Sequence, residues 1–194
     1  MAKVTLRGSE RTALPGAKIL SPADPAEQLE VSMIVRRGAR QALQARVAKL
    51  AAGNRSVDIL SREEFARQHG ADPADLAAVR KFAAAHGLNV VEEHAGRRTV
   101  VLSGTVEQFN GAFSVQLQQF AHSGGTYRGR TGAIQLPAEL DGIIEAVLGL
   151  DNRPQAKPHF RLRAPRRAAG RGAAVYFLHA TAGRVVVRLP ERNR

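Results

Sequence analysis

Two serines are the candidates for nucleophilic chemistry, because a serine hydroxyl attacks carbonyl groups once a neighbouring base activates it. Ser103 lies in the sequence LSGT and Ser114 in FSVQ. Neither stands in a GxSxG motif, which would present the nucleophile on a sharp turn between a strand and a helix. Their neighbours favour ordinary positions in a strand or at a helix end. We therefore predict no catalytic residue in this chain.

The histidines do not have the spacing of a metal site. They stand at positions 69, 86, 94, 122, 159 and 179, without the HExxH pairing that holds zinc. The chain has no cysteine, which excludes thiolate ligands and disulfides. His69 and His86 fall in the last turns of predicted helices, where a cationic side chain interacts favourably with the helix dipole. We predict neither a metal ion nor a cofactor and give both histidines a structural role.

The positive charge of the chain raises nucleic-acid binding as an alternative. Lysine and arginine number 29 against 17 aspartates and glutamates, and residues 161–194 hold nine arginines and one glutamate. Such a basic tail binds nucleic acid or anionic membranes, or is simply solvated. Tyr127, Arg128 and Arg130 are candidate contacts, but the strand-like RRTVVLSG lacks the aromatic residues on which RNA-binding sheets stack bases. An RNA-binding module therefore stays the second alternative.

Several segments carry the signals of helix starts. Ser61 and Thr105 each precede a glutamate or glutamine by three positions, which is the spacing of a capping box. Asp72 is followed by Pro73, a residue that suits the first position of a helix. Apolar residues then recur at helical spacing. The predicted helices cover residues 39–52, 61–70, 72–87, 105–113 and 137–150.

Alternating apolar and polar residues predict strands at 29–37, 88–94, 97–104 and 114–122. With the smaller helices set aside, the order is strand, helix, strand, strand, helix, strand. This order predicts an α+β protein with a ferredoxin-like (split βαβ) antiparallel sheet and helices on one face. We predict an extended arm at 1–28, a folded domain at 29–152, and a linker with a basic, disordered tail at 153–194. No segment has the apolar length of a signal peptide or a membrane span.

The predicted sheet is apolar on both faces. If the helices cover one face, the alternation places Ile34, Val91, Val101 and Phe120 on the other, among polar residues. A solvated face is ordinarily polar, so large apolar residues on adjacent strands indicate a surface that a partner covers. Isolated exposed apolar residues are also common, and that interpretation stays open. We choose Phe120 as the first anchor of a partner interface.

The succession of LSREEFARQHGADPADLAAVRKFAAAHGLNV, LSGTVEQFNGAF and TYRGRTGAIQLPAELDGIIEAVLGLDNRP resembles the activation domain of the sedolisin family of serine-carboxyl peptidases, in its kumamolisin branch. The resemblance covers about residues 10–161. It implies a ferredoxin-like prodomain that assists the folding of a catalytic domain, inhibits it, and is removed by proteolysis under acidic conditions. The partner would be a sedolisin-like catalytic domain, and the location extracellular.

The resemblance also implies roles for particular residues. Asp151, Asn152 and Arg153 would end the folded domain. A linker toward the protease cleft would begin in the strip that contains Lys157, His159, Phe160 and Arg161.

The sequence departs from the family pattern after residue 161. The family continues with a catalytic domain that bears the serine nucleophile and a calcium site, whereas 34 residues remain here, from Arg161 to the end. Because a catalytic domain does not fit in that length, we expect this chain not to be an enzyme. Their arginine, alanine and glycine bias suggests a truncated or frame-shifted peptidase precursor. A free-standing protease inhibitor is the alternative, and an uncharacterised enzyme stays as a third class.

Overall fold

The computed structural model describes residues 2–54, 58–153, 179–181 and 184–186. The chain divides into two compact units, Met1–Gln155 and Ala156–Arg194. In the second unit, strands at His179–Thr181 and Arg184–Val186 pair antiparallel. The first unit contains the remaining elements.

Four helices and nine strands form the described part of the first unit. The helices are α1 (Arg40–Ala51), α2 (Arg62–His69), α3 (Pro73–Ala85) and α4 (Val106–Phe113). The strands are β1 (Lys3–Thr5), β2 (Lys18–Pro22), β3 (Gln28–Val35), β4 (Asn89–His94), β5 (Thr99–Thr105), β6 (Gln118–His122), β7 (Gly125–Gly129), β8 (Gln135–Pro137) and β9 (Ile144–Leu148). The two strands of the second unit are β10 and β11.

A four-stranded antiparallel sheet in the order β4-β5-β3-β9 organises this unit. Every second side chain of β3 and β5 is buried, as the alternation predicts; Met33 and Val100 are opposite each other and inaccessible to solvent. The same core includes Phe82 of α3 and Phe113 of α4, whose ring centroids lie 5.7 Å apart. The α+β class predicted from the sequence is confirmed.

Three predicted helix starts are confirmed by their hydrogen bonds. The Ser61 hydroxyl accepts from the Glu64 backbone N–H at 3.1 Å, and the Glu64 carboxylate accepts from the Ser61 N–H at 2.8 Å. Thr105 makes the same reciprocal arrangement at the start of α4, and the Asp72 carboxylate caps α3. These signals lie within three residues of the helix start, so local sequence is enough to find them.

The helix predicted over 137–150 is wrong. A single 3-10 turn at Ala138–Leu140 is followed by β9, which pairs with β3 as an outer strand of the sheet. Gly142 and Gly149 have φ values of +65° and +106°, and both interrupt a right-handed helix. The apolar residues between them fit either period, and the β-branched Ile143 and Ile144 favour a strand.

The predicted strand over 114–122 is present in its second half, but it belongs to another sheet. Here β6 lies between β2 and β7 in a three-stranded sheet. The fourth place of the main sheet is taken by β9 instead.

The arm at residues 1–28 contains two short strands that pair with later strands of the fold. β1 pairs with β8, and β2 pairs with β6. Leu6 and Ala23 are buried in the core. An extended segment lacks internal hydrogen bonds, so it satisfies its backbone groups by pairing with the later strands.

Candidate partner-binding surface

The main sheet has a second face, turned away from its helix-covered core, which we call the open face. It is formed by Ser32 and Ile34 of β3, by Thr99 and Val101 of β5, and by Ala146 and Leu148 of β9. In the register, Ser32 lies between Val101 and Leu148, and Ile34 lies between Thr99 and Ala146. Each β3 and β5 residue of this face is less buried than its strand neighbours, which enter the core. The open face is therefore a continuous strip across three strands.

Apolar side chains occupy the middle of the open face and both of its edges. Ile34 and Val101 are half-buried, and Leu148 at the β9 edge is 51 % exposed. At the opposite edge, Val91 is 54 % exposed and lies in an irregularity of β4 between the pairs made by Val90 and Glu92. Three of the residues predicted for a partner interface, Ile34, Val91 and Val101, are thus found on this face or at its border. Sequence reasoning missed Leu148, because its segment was assigned to a helix.

Phe120 does not lie on the open face, and the prediction that it is an exposed anchor is wrong. It is 1 % exposed and lies in β6 of the other sheet. Its ring stacks on Tyr127 with 5.0 Å between centroids, and β2 pairs along its strand. Phe120 is therefore buried within the three-stranded sheet β2-β6-β7 and is not available to a partner.

Two ion pairs lie beside the apolar strip, at one end of the sheet. Arg98 donates to the Glu145 carboxylate at 2.7 Å and to the Val35 carbonyl at 2.9 Å, which ties β9 to the end of β3. Arg97 pairs with Glu92 on the β4 edge. Exposed charges along an outer strand discourage edge-to-edge pairing with other chains. An apolar centre with a polar border is the anatomy of a protein interface.

The three residues considered for nucleic-acid contact are buried. Tyr127, Arg128 and Arg130 are 3 %, 6 % and 4 % exposed. The Tyr127 hydroxyl accepts from the Leu14 N–H at 3.0 Å, and Arg128 pairs with Glu27. Their side chains hold the arm against the sheets and are not available to stack on or pair with an external nucleic acid.

The end of the folded region is fixed by side-chain bonds. The Asn152 amide oxygen accepts from the Arg128 backbone N–H at 2.6 Å. Arg153 donates to the Asp151 carboxylate at 2.7 Å and to the Thr12 carbonyl at 2.9 Å. The chain therefore leaves the domain from a defined position. The predicted linker residues Lys157, His159, Phe160 and Arg161 lie outside the described residues.

The candidate catalytic and metal-binding residues are dispersed. Ser103 lies in β5, whereas Ser114 has φ +50° at the end of α4. His69 ends α2, and the His86 Nδ1 lies 2.9 Å from the Phe82 carbonyl oxygen at the end of α3. Within the described ranges, no three histidine or carboxylate residues are grouped for metal binding. The helices of that same part of the chain are too short or too polar to cross a bilayer.

Comparison with known proteins matches residues 15–153 to the family described as "Pro-kumamolisin, activation domain". Kumamolisin from Bacillus sp. (strain MN-32) is 43 % identical over 166 residues, which cover 85 % of this chain and 30 % of the relative. Tripeptidyl-peptidase sed5 from Aspergillus fumigatus is 28 % identical over 167 residues, covering 76 % of this chain and 28 % of the relative. The chain thus spans less than a third of the length of these curated relatives.

Proposed function

Because this chain belongs to the pro-kumamolisin activation domain family, we propose that it binds the catalytic domain of a kumamolisin-type serine peptidase, inhibits it and assists its folding. The surface that binds is the open face. Ile34 and Val101 form its apolar middle, and Leu148 and Val91 extend it at the β9 and β4 edges. The single observation that carries this proposal is the apolar strip on a sheet face that the described chain leaves uncovered.

The energetic basis is burial of that strip. A standard protein interface covers about 1,600 Å² in total, and a few buried anchors supply most of its affinity. Leu148 is the anchor with the most to gain, because half of its surface is exposed in the free domain. Its burial on binding removes apolar surface from water, whereas Ile34 and Val101 are already half-buried.

Inhibition then follows from where the chain leaves the domain. Residues 151–153 are held by bonds to β7 and to the arm. A sheet docked on the peptidase would therefore deliver the following residues to one place on the partner's surface. We propose that this place is the substrate cleft, which the linker covers.

Assistance of folding follows from the same contacts. A ligand that binds a native protein and not its unfolded chain shifts the folding equilibrium toward the native state. If the contacts also form in the folding transition state, they raise the folding rate. Both effects require that the docking surface exist before the peptidase is folded, and the pre-formed sheet meets that requirement.

The test adds the purified full chain to active kumamolisin and, separately, to denatured kumamolisin during refolding. We expect loss of peptidase activity and a higher refolding yield at micromolar concentration. Leu148→Asp should weaken inhibition at least about tenfold, because it places a charge on the apolar strip that the partner would bury. Leu20→Asp is the matched control, since Leu20 is also exposed but lies on β2 of the other sheet. Equal loss of inhibition in both variants, or no effect of the wild-type chain, refutes the proposal.

A further inference from the structure

A cavity of about 330 Å³ lies at the end of β9, next to the open face. Its wall is formed by residues 147–151, and Arg11 and Arg130 complete it. Leu148 belongs both to this cavity and to the open face. A partner that covers the open face at the β9 edge therefore also reaches the cavity.

Arg130 is a buried cation of the cavity that has no carboxylate partner among the described residues. It is 4 % exposed, and its guanidinium donates to the backbone carbonyls of Ser9, at 2.6 Å, and Gly132. Burial lowers the pKa of Arg130, and the neighbouring Arg11 and Arg153 lower it further, whereas the carboxylates of Asp151 and Glu10 raise it. Carbonyl oxygens satisfy hydrogen bonds but carry no full charge to balance a cation. The guanidinium of Arg130 therefore makes its hydrogen bonds to neutral acceptors and not to a carboxylate.

Arg11 adds a second positive charge at the mouth of the same cavity. Its backbone pairs with Gly132 in both directions, at 3.0 and 2.9 Å, so the residue is held in place. Its side chain is exposed and donates to the Glu10 carbonyl at 3.1 Å. Asp151 is the acidic residue of the wall, but its carboxylate already accepts from the Arg153 side chain at 2.7 Å and from the Arg153 backbone N–H at 2.9 Å.

We propose that this cavity receives the carboxylate of an acidic side chain on the partner peptidase, next to an apolar residue that packs on Leu148. The inference rests on the proposed function and adds to it the chemistry of one contact. The carboxylate would lie between Arg11 and Arg130, and charge-assisted hydrogen bonds to both would be stronger than bonds between neutral groups. By covering this half-exposed edge of the sheet, the partner would remove water from the pair and so strengthen it further.

This contact makes a specific contribution to recognition. The apolar strip accepts any apolar surface of suitable shape, whereas a positive cavity at one edge accepts only a surface with an acid at the matching position. Charge complementarity at the border of an interface selects among partners and fixes their orientation. The cavity thus orients the sheet on the peptidase as well as adding affinity.

The first experiment needs no peptidase. The full chain, labelled with ¹⁵N, is titrated with acetyl-Leu-Glu-Leu-amide and with acetyl-Leu-Gln-Leu-amide. We expect the glutamate peptide to shift the amide signals of Arg11, Arg130 and residues 148–151, with an affinity at least about tenfold above that of the glutamine peptide. Equal shifts with both peptides, or shifts confined to other residues, overturn the inference. Inorganic phosphate that binds as tightly as the glutamate peptide also overturns it, in favour of a small-anion site.

The second experiment measures inhibition of kumamolisin by Arg11→Gln and by Arg7→Gln. Arg7 is the matched control, since it is an exposed arginine of the same arm and does not line this cavity. We expect Arg11→Gln to raise the inhibition constant about five- to tenfold and to reduce its dependence on salt, with Arg7→Gln close to wild type. Equal constants for the two variants overturn the inference. A wild-type chain that does not inhibit overturns the proposed function instead, and the peptide titration then decides the cavity alone.

Discussion

Adjacent valines of β5 provide a direct test of the two-faced sheet. Val100 is inaccessible to solvent and points into the core, whereas Val101 is half-buried on the open face. Both residues occupy the same central strand of the sheet. Val100→Ala and Val101→Ala therefore remove the same atoms from opposite faces, and the difference between them reports how each face is packed.

The magnitudes follow from burial. Each buried methylene-sized group contributes about 0.8 kcal/mol, and the cavity left in a tight core adds a comparable term, so Val100→Ala should cost about 2–3 kcal/mol. Val101→Ala should cost less than about 1 kcal/mol, because its side chain already contacts water and leaves no closed cavity. For a domain of this size, 1 kcal/mol corresponds to about 2–4 °C in Tm, so Val100→Ala should lower Tm by about 5–10 °C.

The assay is urea and thermal unfolding of the full chain, followed by far-ultraviolet circular dichroism. Inhibition of kumamolisin by each variant is measured at a temperature where both are folded. We expect Val101→Ala to keep its stability and to lose affinity, and Val100→Ala to show the reverse. If Val101→Ala destabilises the chain as much as Val100→Ala, the open face is covered in the free protein. The reasoning that a peptidase covers it would then be refuted.

Three further predictions concern stability. Asp75 accepts two hydrogen bonds from the Arg36 side chain, at 2.6 and 2.9 Å, and Asp75→Asn weakens this ion pair. The free energy of unfolding in urea should fall by about 1–2 kcal/mol; the loss is limited because Arg36 is half exposed to water, which screens the pair. In the capping box of α2, the hydrogen bond from the Ser61 backbone N–H lowers the pKa of Glu64. A depressed carboxyl pKa stabilises the fold at pH values above the unfolded pKa, and this stabilisation is lost as the pH falls through the folded pKa. Glu64→Gln should therefore be destabilising at pH 7 and progressively less so as the pH is lowered, as a series of urea titrations would show. At Gly149, with φ +106°, a Cβ atom would lie 2.6 Å from a carbonyl oxygen of β3, so Gly149→Ala should cost about 2–3 kcal/mol in thermal unfolding.

The starts of α2, α3 and α4 could be predicted from the sequence because their signals are local. Ser61, Asp72 and Thr105 lie at helix starts, and each one caps backbone groups within three residues of itself. The hairpin of β4 and β5 could be predicted for the same reason, because a short turn separates its two strands. The buried side chains of β3 and β5 follow directly from their alternation.

Only part of the candidate site could be predicted from the sequence. Ile34 and Val101 were placed correctly opposite the core because strands with clear alternation reveal their faces. Leu148 was missed and Phe120 was misplaced, because both depend on which strand joins which sheet. The cavity beside β9 gave no signal at all, since Arg11 and Arg130 are far apart in the chain and meet only through the pairing of the arm.

The amino-acid order alone therefore specifies the helix starts, the two alternating strands at the centre of the sheet, and the family resemblance. Strand partnership was settled by tertiary packing, as the pairing of Lys18 with Ala121 and of Ser32 with Leu148 illustrates. A helix satisfies its backbone within four residues, so its cause is found nearby. A strand satisfies its backbone with a neighbour that may be any segment of compatible pattern, so β9 and the arm acquired their positions only when the whole domain closed around its core.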